Sequence, residues 1–326
     1  MPASKGLPEI IALGEPMAEF AAEQCGRLGE VRTFRRGFGG DTANFIVAAA
    51  RMGASSGYVT RVGGDEFGHA FLALWEREGV DYSRVIVESE GITGVYFISI
   101  RDKGSHDFTY YRSASAASRL APGDLDEVYI AGAKVFHTSG ITQAISETAR
   151  EAVETALDIA ERAGRTISYD ANVRPRLWPL KVARPVVERT FARAHLVFVS
   201  EEDIAHLYPG VDPEIVVEHV LSFGPRTVVL KRGAKGCLVA TAERARFVLA
   251  AWSVDVVDAS GAGDAFAGAF VASWLEGAGV GEAARVANTA GALTAMGLGA
   301  VEPIPTRAQV IEFIRERRTE TDHTRK

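Results

Sequence analysis

The chain has little cysteine, no long apolar run and no excess of basic charge, and each absence argues against a class of protein. Its 326 residues contain two cysteines, Cys25 and Cys237, neither in a C-x-x-C pair nor beside a histidine ligand pattern. That argues against a disulfide framework or a structural zinc site, and two unpaired thiols in a reducing cytoplasm are expected. No apolar run reaches the about 18 residues that a membrane-spanning helix needs, and residues 1–16 lack the apolar centre of a secretory signal. A cytoplasmic protein without a membrane partner is the expectation. The formal net charge is −6, where a nucleic-acid partner would call for a basic footprint. The phosphate-cradling pattern G-x-x-x-x-G-K-[ST] is missing as well.

What is present is the material of a packed core. Hydrophobic residues make up 47% and charged residues 24% of the chain, enough for one large α/β domain with an appendage or for two ordinary domains. Strand-like and helix-like segments alternate. Residues 9–13, 56–62, 134–138, 166–170, 195–200 and 227–231 read as strands. Residues 41–52, capped by Asp41 or Thr42, read as a helix, and Asp65 caps another that carries Phe67, Phe71, Leu74 and Trp75. Residues 146–163 read as a third. This order predicts a mainly parallel sheet covered by helices. Residues 18–38 and 93–112 break the pattern with alternating β-type residues, as in Val95-Tyr-Phe-Ile-Ser-Ile100. Together they predict a small antiparallel sheet, placed to act as a lid.

The sharpest signal is Asp258-Ala-Ser-Gly-Ala-Gly-Asp264, between a strand-like stretch at 250–257 and an apolar helix at 265–276. Glycines leave the backbone N–H groups uncovered, and a helix start adds unsatisfied N–H groups and partial positive charge. Together they form a pocket for phosphate oxygens. A carboxylate at Asp264 would repel a bound anion, so its natural work is to take a proton from an attacking hydroxyl. Gly37-Phe-Gly-Gly-Asp-Thr42 matches the dinucleotide fingerprint G-x-G-x-x-G only in part, and a basic, irregular segment precedes it.

Gly37-Phe-Gly-Gly-Asp-Thr-Ala-Asn44, Ala48-Ala-Ala-Arg-Met-Gly53 and Arg61-Val-Gly-Gly-Asp65 resemble the N-terminal signature of the PfkB, or ribokinase-like, carbohydrate kinases. The segment from Asp258 to Asp264 resembles their C-terminal signature. The resemblance runs from about residue 9 to residue 314. It implies a ribokinase-like fold over the whole chain, a β lid, and ATP with Mg²⁺; a need for K⁺ stays open. By this resemblance Asp264 is the general base, and Gly261, Ala262 and Gly263 form the anion hole. Gly40 and Asn44 contact the sugar. Lys231, Gly233 and Gly236 belong to the nucleotide-side strand and turn, and Asn288 lies on the helix bordering adenine. Where the family has Asn-x-x-Glu, this chain has Ser200-Glu-Glu-Asp203, which puts Ser200 on the nucleotide side and Asp203 on the metal side, acting through water.

Leu13-Gly-Glu-Pro16, Tyr110-Tyr-Arg112 and Asp170-Ala-Asn-Val-Arg-Pro-Arg-Leu-Trp178 resemble the 2-keto-3-deoxygluconate kinase branch. That branch implies Tyr96, Tyr110, Arg112 and Arg174 at the substrate. Val173 stands where tyrosine is common there. The chemistry agrees, because a keto-deoxy sugar acid carries a carboxylate and guanidinium forks bind carboxylates bidentately. Fructose, a nucleoside or another sugar acid stays open as acceptor, as does a non-catalytic sugar- or nucleotide-binding protein. His106, His137 and His195 read as structural. Exposed lid strands make a homo-oligomer the expectation.

Overall fold

The computed structural model describes residues 6–100 and 106–323. In chain order its first half contains β1 (Ile10–Leu13), β2 (Met17–Cys25), β3 (Phe34–Gly39), α1 (Asp41–Arg51), β4 (Ser56–Gly63), α2 (Glu66–Glu78), β5 (Asp81–Glu88), β6 (Gly94–Ile100), β7 (His106–Tyr111), α3 (Glu127–Gly132), β8 (Val135–Ser139), α4 (Gly140–Ala144) and α5 (Glu147–Arg162). There follow β9 (Thr166–Asp170), α6 (Leu180–Arg193), β10 (Leu196–Ser200), α7 (Glu201–Leu207), α8 (Pro213–Ser222), β11 (Thr227–Lys231), β12 (Cys237–Thr241), β13 (Arg246–Leu249), α9 (Ala262–Leu275), α10 (Val280–Ala295) and α11 (Arg307–His323).

Four residues show how the layers arise. Every residue of β1 is buried, and successive side chains point to opposite faces. Ile10 and Ala12 join a core built with α1, α2, α9 and α10. Ile11 and Leu13 join a second core built with α5, α6 and α8. Such two-sided burial is what continuous apolar strands require. The sheet has nine strands in the order β13-β12-β11-β10-β9-β8-β1-β4-β5, parallel except where β12 and β13 turn back at one edge. The order reverses at β1, which lies between β8 and β4. In open α/β sheets the crevice beyond the strand ends at such a reversal is the ligand site. The C-terminal ends of β1, β9, β10 and β11 deliver Glu15, Asp170, Ser200 and Lys231 to that side.

A second sheet, in the order β3-β2-β6-β7, stands beside the first. It is mixed rather than antiparallel, because β2 and β6 pair in parallel. The reason is topological: β2 and β6 both leave the large sheet in the same direction, separated by the α1–β5 excursion. Met17, Ala21, Tyr96 and Ile98 form a small core of its own, against Phe108 and Leu298.

Two further expectations are corrected. The N-cap of α1 is Gly40, with φ 102° and no side-chain cap, while Asp41 is the first helical residue and is buried. A Cβ at Gly40 would lie 2.2 Å from the Glu15 carbonyl oxygen, so the close turn admits glycine only. Residues 250–257 are not a strand. Their backbone is held by α10 instead: the Ala250 carbonyl accepts from Asn288 Nδ2 at 2.7 Å, and the Val257 N–H donates to the Ala295 carbonyl at 2.9 Å. The β-type side chains Val256 and Val257 point outward, 64% and 56% exposed.

Candidate active site

Asp264 is the third residue of α9, and the turn before that helix is tightly fixed. Gly261 is the N-cap at φ 71°, where a Cβ would come within 2.6 Å of the Ala300 carbonyl oxygen. Buried Asp258 fastens the turn: its Oδ1 accepts from the Ser260 N–H at 2.9 Å and its Oδ2 from the Gly299 N–H at 3.0 Å. The Ala262 N–H donates back to the Ala259 carbonyl at 3.2 Å. Of the three residues expected to form the anion hole, Ala262 therefore has its donor engaged. The N–H groups of Gly263 and Asp264, second and third in the helix, have no acceptor within it and carry its positive end.

The carboxylate of Asp264 lines a cleft with Asp41, Phe45, His137, Asp170, Asn172 and Ala267. Its Oδ2 accepts from Asn44 Nδ2 at 2.8 Å, a bond that links α9 to α1 across 220 positions. Burial pushes its pKa up to about 7; the charges on Asp41 and Asp170 add to that, while Lys231 and the Asn44 amide oppose it. Such a group can accept a proton near neutral pH. Around it, Asp41 Oδ1, Asn44 Oδ1 and Asp170 Oδ1 are buried and lack partners among the described residues. Buried acceptors are costly unless a donor arrives, and three of them together fit a ligand rich in hydroxyl groups.

Tyr110, Arg112 and Arg174 are brought together, with Arg176 beside them. Burial pushes the Tyr110 pKa up, against the nearby charges of Arg174, Arg112 and Arg176. The three arginines differ in commitment. Arg112 is ion-paired with fully buried Glu15, whose other oxygen accepts from Ser115 Oγ at 2.6 Å. Arg176 donates to the Phe108 carbonyl at 3.2 Å. Arg174 donates to the Val173 carbonyl at 3.0 Å and makes no ion pair among the described residues. Tyr96 stacks on Tyr110 with ring centroids 5.8 Å apart, but its hydroxyl donates to Glu19 rather than facing an open site.

Asn288 of α10 lines a separate cavity of about 260 Å³ with Leu249, Ala250, Ala251, Trp252 and Arg285. Gly233 and Gly236 make the turn after β11 with φ 54° and 92°. Ser200 and Asp203 form a reciprocal cap on α7, and Asp203 also accepts from the Val173 N–H at 2.6 Å. That bond ties α7 to the segment carrying Arg174. Lys231 donates to Asp170 Oδ2 at 2.5 Å, pointing into the cleft rather than toward the Asn288 cavity. His137 stacks on Phe45 at 3.5 Å and shares a hydrogen bond with Ser168, while His195 Nδ1 accepts from the Ile167 N–H, so both bind within the fold. The side chain of His106 lies outside the described residues.

Sequence reasoning missed Glu15, Asp41, Asp170 and Asn172. Asp41 and Asn172, joined by a 3.1 Å hydrogen bond, sit inside motifs that were visible, and Asn172 has φ 33°. An asparagine forced into positive φ between two motif residues marks a strained turn at a site.

An α/β fold with a side sheet, a carboxylate at a glycine-turned helix start and a hydroxyl-seeking cleft define a sugar-handling phosphotransferase architecture. The chain belongs to the pfkB family of carbohydrate kinases, whose sequence profile matches residues 7–307. It is 36% identical to a 2-dehydro-3-deoxygluconokinase of Thermoproteus tenax, over 96% of each chain. It is 32% identical to fructokinase-1 of Oryza sativa subsp. japonica, over 94% of this chain and 97% of that one. A provisionally assigned ribokinase II from E. coli, solved with ATP and Mg²⁺, superposes with a TM-score of 0.88 at 27% identity, covering 95% of this chain and all of the other.

Proposed function

We propose that this chain transfers the γ-phosphoryl group of ATP to the terminal hydroxyl of 2-keto-3-deoxygluconate. The observation that carries the reading is the nearness of two features. One is the raised Asp264 carboxylate at the start of α9; the other is Arg174, a guanidinium beside Tyr110 that feels the Asp264 charge yet makes no ion pair among the described residues. The sugar's hydroxyl groups donate to Asp41, Asn44 and Asp170. Its carboxylate answers Arg174, with Gly40 framing the sugar at the turn into α1. Asp264 takes the proton of the attacking hydroxyl as the new O–P bond forms and the bond to the β-phosphate breaks, releasing ADP. The N–H groups of Gly263 and Asp264 hold the anionic oxygens. The cavity bordered by Asn288 and Trp252 accepts the base of ATP, with the Gly233–Gly236 turn beside it.

Among the described residues no three His, Cys, Asp or Glu side chains gather into a cage for a metal. Mg²⁺ is held near nucleotides by phosphates and water with one or two carboxylates. Asp203 and its exposed neighbour Glu202 are the carboxylates for that side, Asp203 through water. Bound Mg²⁺ neutralises phosphate charge. The small sheet is proposed as a lid on one ribokinase-like domain. Its aromatic row of Phe20, Phe34, Phe97 and Tyr111 is proposed to meet a second copy, which light scattering would detect as a dimer mass.

Fructose is the second reading, favoured by one observation: Glu15 already neutralises Arg112. Specificity constants for both sugars, measured by coupled ADP release, separate the two. With the acid as substrate, the Arg174 charge is satisfied; with fructose it stays unpaired, at about 2–5 kcal/mol. A preference for the acid of at least about 30-fold in kcat/KM is expected, and Arg174→Ala should shrink it. Equal losses on both sugars would show that Arg174 supports structure alone.

A further inference from the structure

Lys231 is the last residue of β11, and its side chain is 14% exposed. Its ammonium makes one bond among the described residues and lies near one glycine. It donates to Asp170 Oδ2 at 2.5 Å, and a Cβ built on Gly263 would lie 3.5 Å from Nζ, 3.9 Å from Cδ and 4.0 Å from Cε. The cation therefore lies beside the second residue of α9, immediately before Asp264. One of its three donors is committed to a carboxylate 61 positions away.

We propose that Lys231 is a positioning residue for phosphoryl transfer, a fixed positive charge held by Asp170 behind the catalytic turn that keeps Asp264 ionised, and not a ligand of the nucleotide. The inference rests on Asp264 acting as the base.

The need for such a charge follows from the company Asp264 keeps. Asp41 faces it from α1, Asp170 from β9, and Arg174 from the segment after β9. His137 of β8 lines the same cleft but is held neutral, because burial and Lys231 both push its pKa down. Three carboxylates in one partly dried cleft cannot all ionise without a compensating cation, since like charges at short range force a proton onto one of them. Burial opposes the charge on Lys231 itself, yet Asp170, Asp203 and Asp264 outweigh it and keep the ammonium protonated. Lys231 thus offsets Asp170 directly and favours the ionised form of Asp264, while Asp170 limits how far that effect goes. The carboxylate Lys231 supports is the one that must be ionised when the hydroxyl arrives.

The two partners should act in opposite senses, which supplies the test. The pH dependence of kcat is measured between about pH 5.5 and 8.5 with saturating 2-keto-3-deoxygluconate and Mg-ATP. Lys231→Met should move the acid limb to higher pH by about one unit, the size expected for a nearby opposite charge, with KM for ATP changed less than about threefold. Asp170→Asn should move it to lower pH, since Lys231 then has Asp264 as its main partner. Lys231→Arg should restore the wild-type limb. A limb that stays in place in Lys231→Met while KM for ATP rises more than about tenfold would make Lys231 a phosphate ligand and overturn the proposal. A limb unmoved in Lys231→Met would reduce the pair to a structural bond and also overturn it, whatever Asp170→Asn does, because loss of the Asp170 charge lowers the limb by itself. If Lys231→Met does not fold, Lys231→Gln takes its place in the same measurement. Asp264→Asn is assayed in parallel: near-normal activity there removes the base itself, whereas an inactive Asp264→Asn with unmoved limbs removes only the role of Lys231.

Discussion

At the scale of single residues, the two arginines proposed for the substrate are in different states. Arg112 and Glu15 have side chains 9% and 0% exposed, so they form a buried pair and each is the other's compensation. Removing one partner of such a pair strands the other charge. Arg112→Ala should therefore destabilise the protein by about 3–5 kcal/mol in chemical denaturation. Arg174→Ala, which breaks no ion pair among the described residues, should cost less than about 1 kcal/mol while harming the acid substrate. Equal stability losses would show that Arg174 has a structural partner after all. This asymmetry was beyond the sequence, because Glu15 and Arg112 are 97 positions apart and neither identity announces the other. Asp264, Gly261 and Asn44 were legible for the opposite reason. Each belongs to a short run whose glycines and helix start fix local geometry whatever surrounds it.

Among the elements, one side chain of the small sheet reaches the turn before α9. Glu19 of β2 is buried, accepts from the Tyr96 hydroxyl, and faces Asp258, Glu302 and the Ala300 backbone. Burial pushes its pKa up from 4.5 to about 7, despite the Tyr96 bond, with Asp258 and Glu302 adding to the rise. The folded protein therefore holds a proton on Glu19 that the unfolded chain has released. That contribution is complete below pH 4.5 and is lost as pH rises through about 7. At about 1.4 kcal/mol per unit it amounts to at most about 3 kcal/mol. Glu19→Gln should match wild type in denaturation near pH 5 and exceed it by about 2–3 kcal/mol near pH 8. A difference that does not change with pH would contradict the buried, protonated state. The strands of the small sheet were readable from alternation, but their mixed pairing was not, since direction depends on where the excursion between β2 and β6 returns. Likewise 250–257 carries β-type residues yet forms no strand, because α10 takes its backbone bonds. β5 escaped notice because it is a half-buried edge strand with no fully buried residue.

For the whole molecule, the sheet's reversal at β1 gathers residues from its two halves at one crevice, where the start of α9 brings Asp264 beside Asp41 and Asp170. If the small sheet closes over the sugar, the acid substrate should slow hydrogen exchange in β2, β3, β6 and β7. Slowing confined to residues 227–300 would show a lid that does not close. Alternating strands and helices made this architecture legible; the charge balance inside the crevice was not, since it depends on groups from β9, β11, α1 and α9 meeting in space. Everything in the mechanism converges on proton removal by Asp264, so the most direct measurement is the turnover of Asp264→Asn with 2-keto-3-deoxygluconate and Mg-ATP by coupled ADP release. The amide keeps the shape of the cleft and can still accept from Asn44. A fall in kcat of about 10²–10⁴, with both KM values within a few-fold of wild type, is expected. Retention of more than about a tenth of wild-type kcat would contradict the assignment of Asp264 as the base.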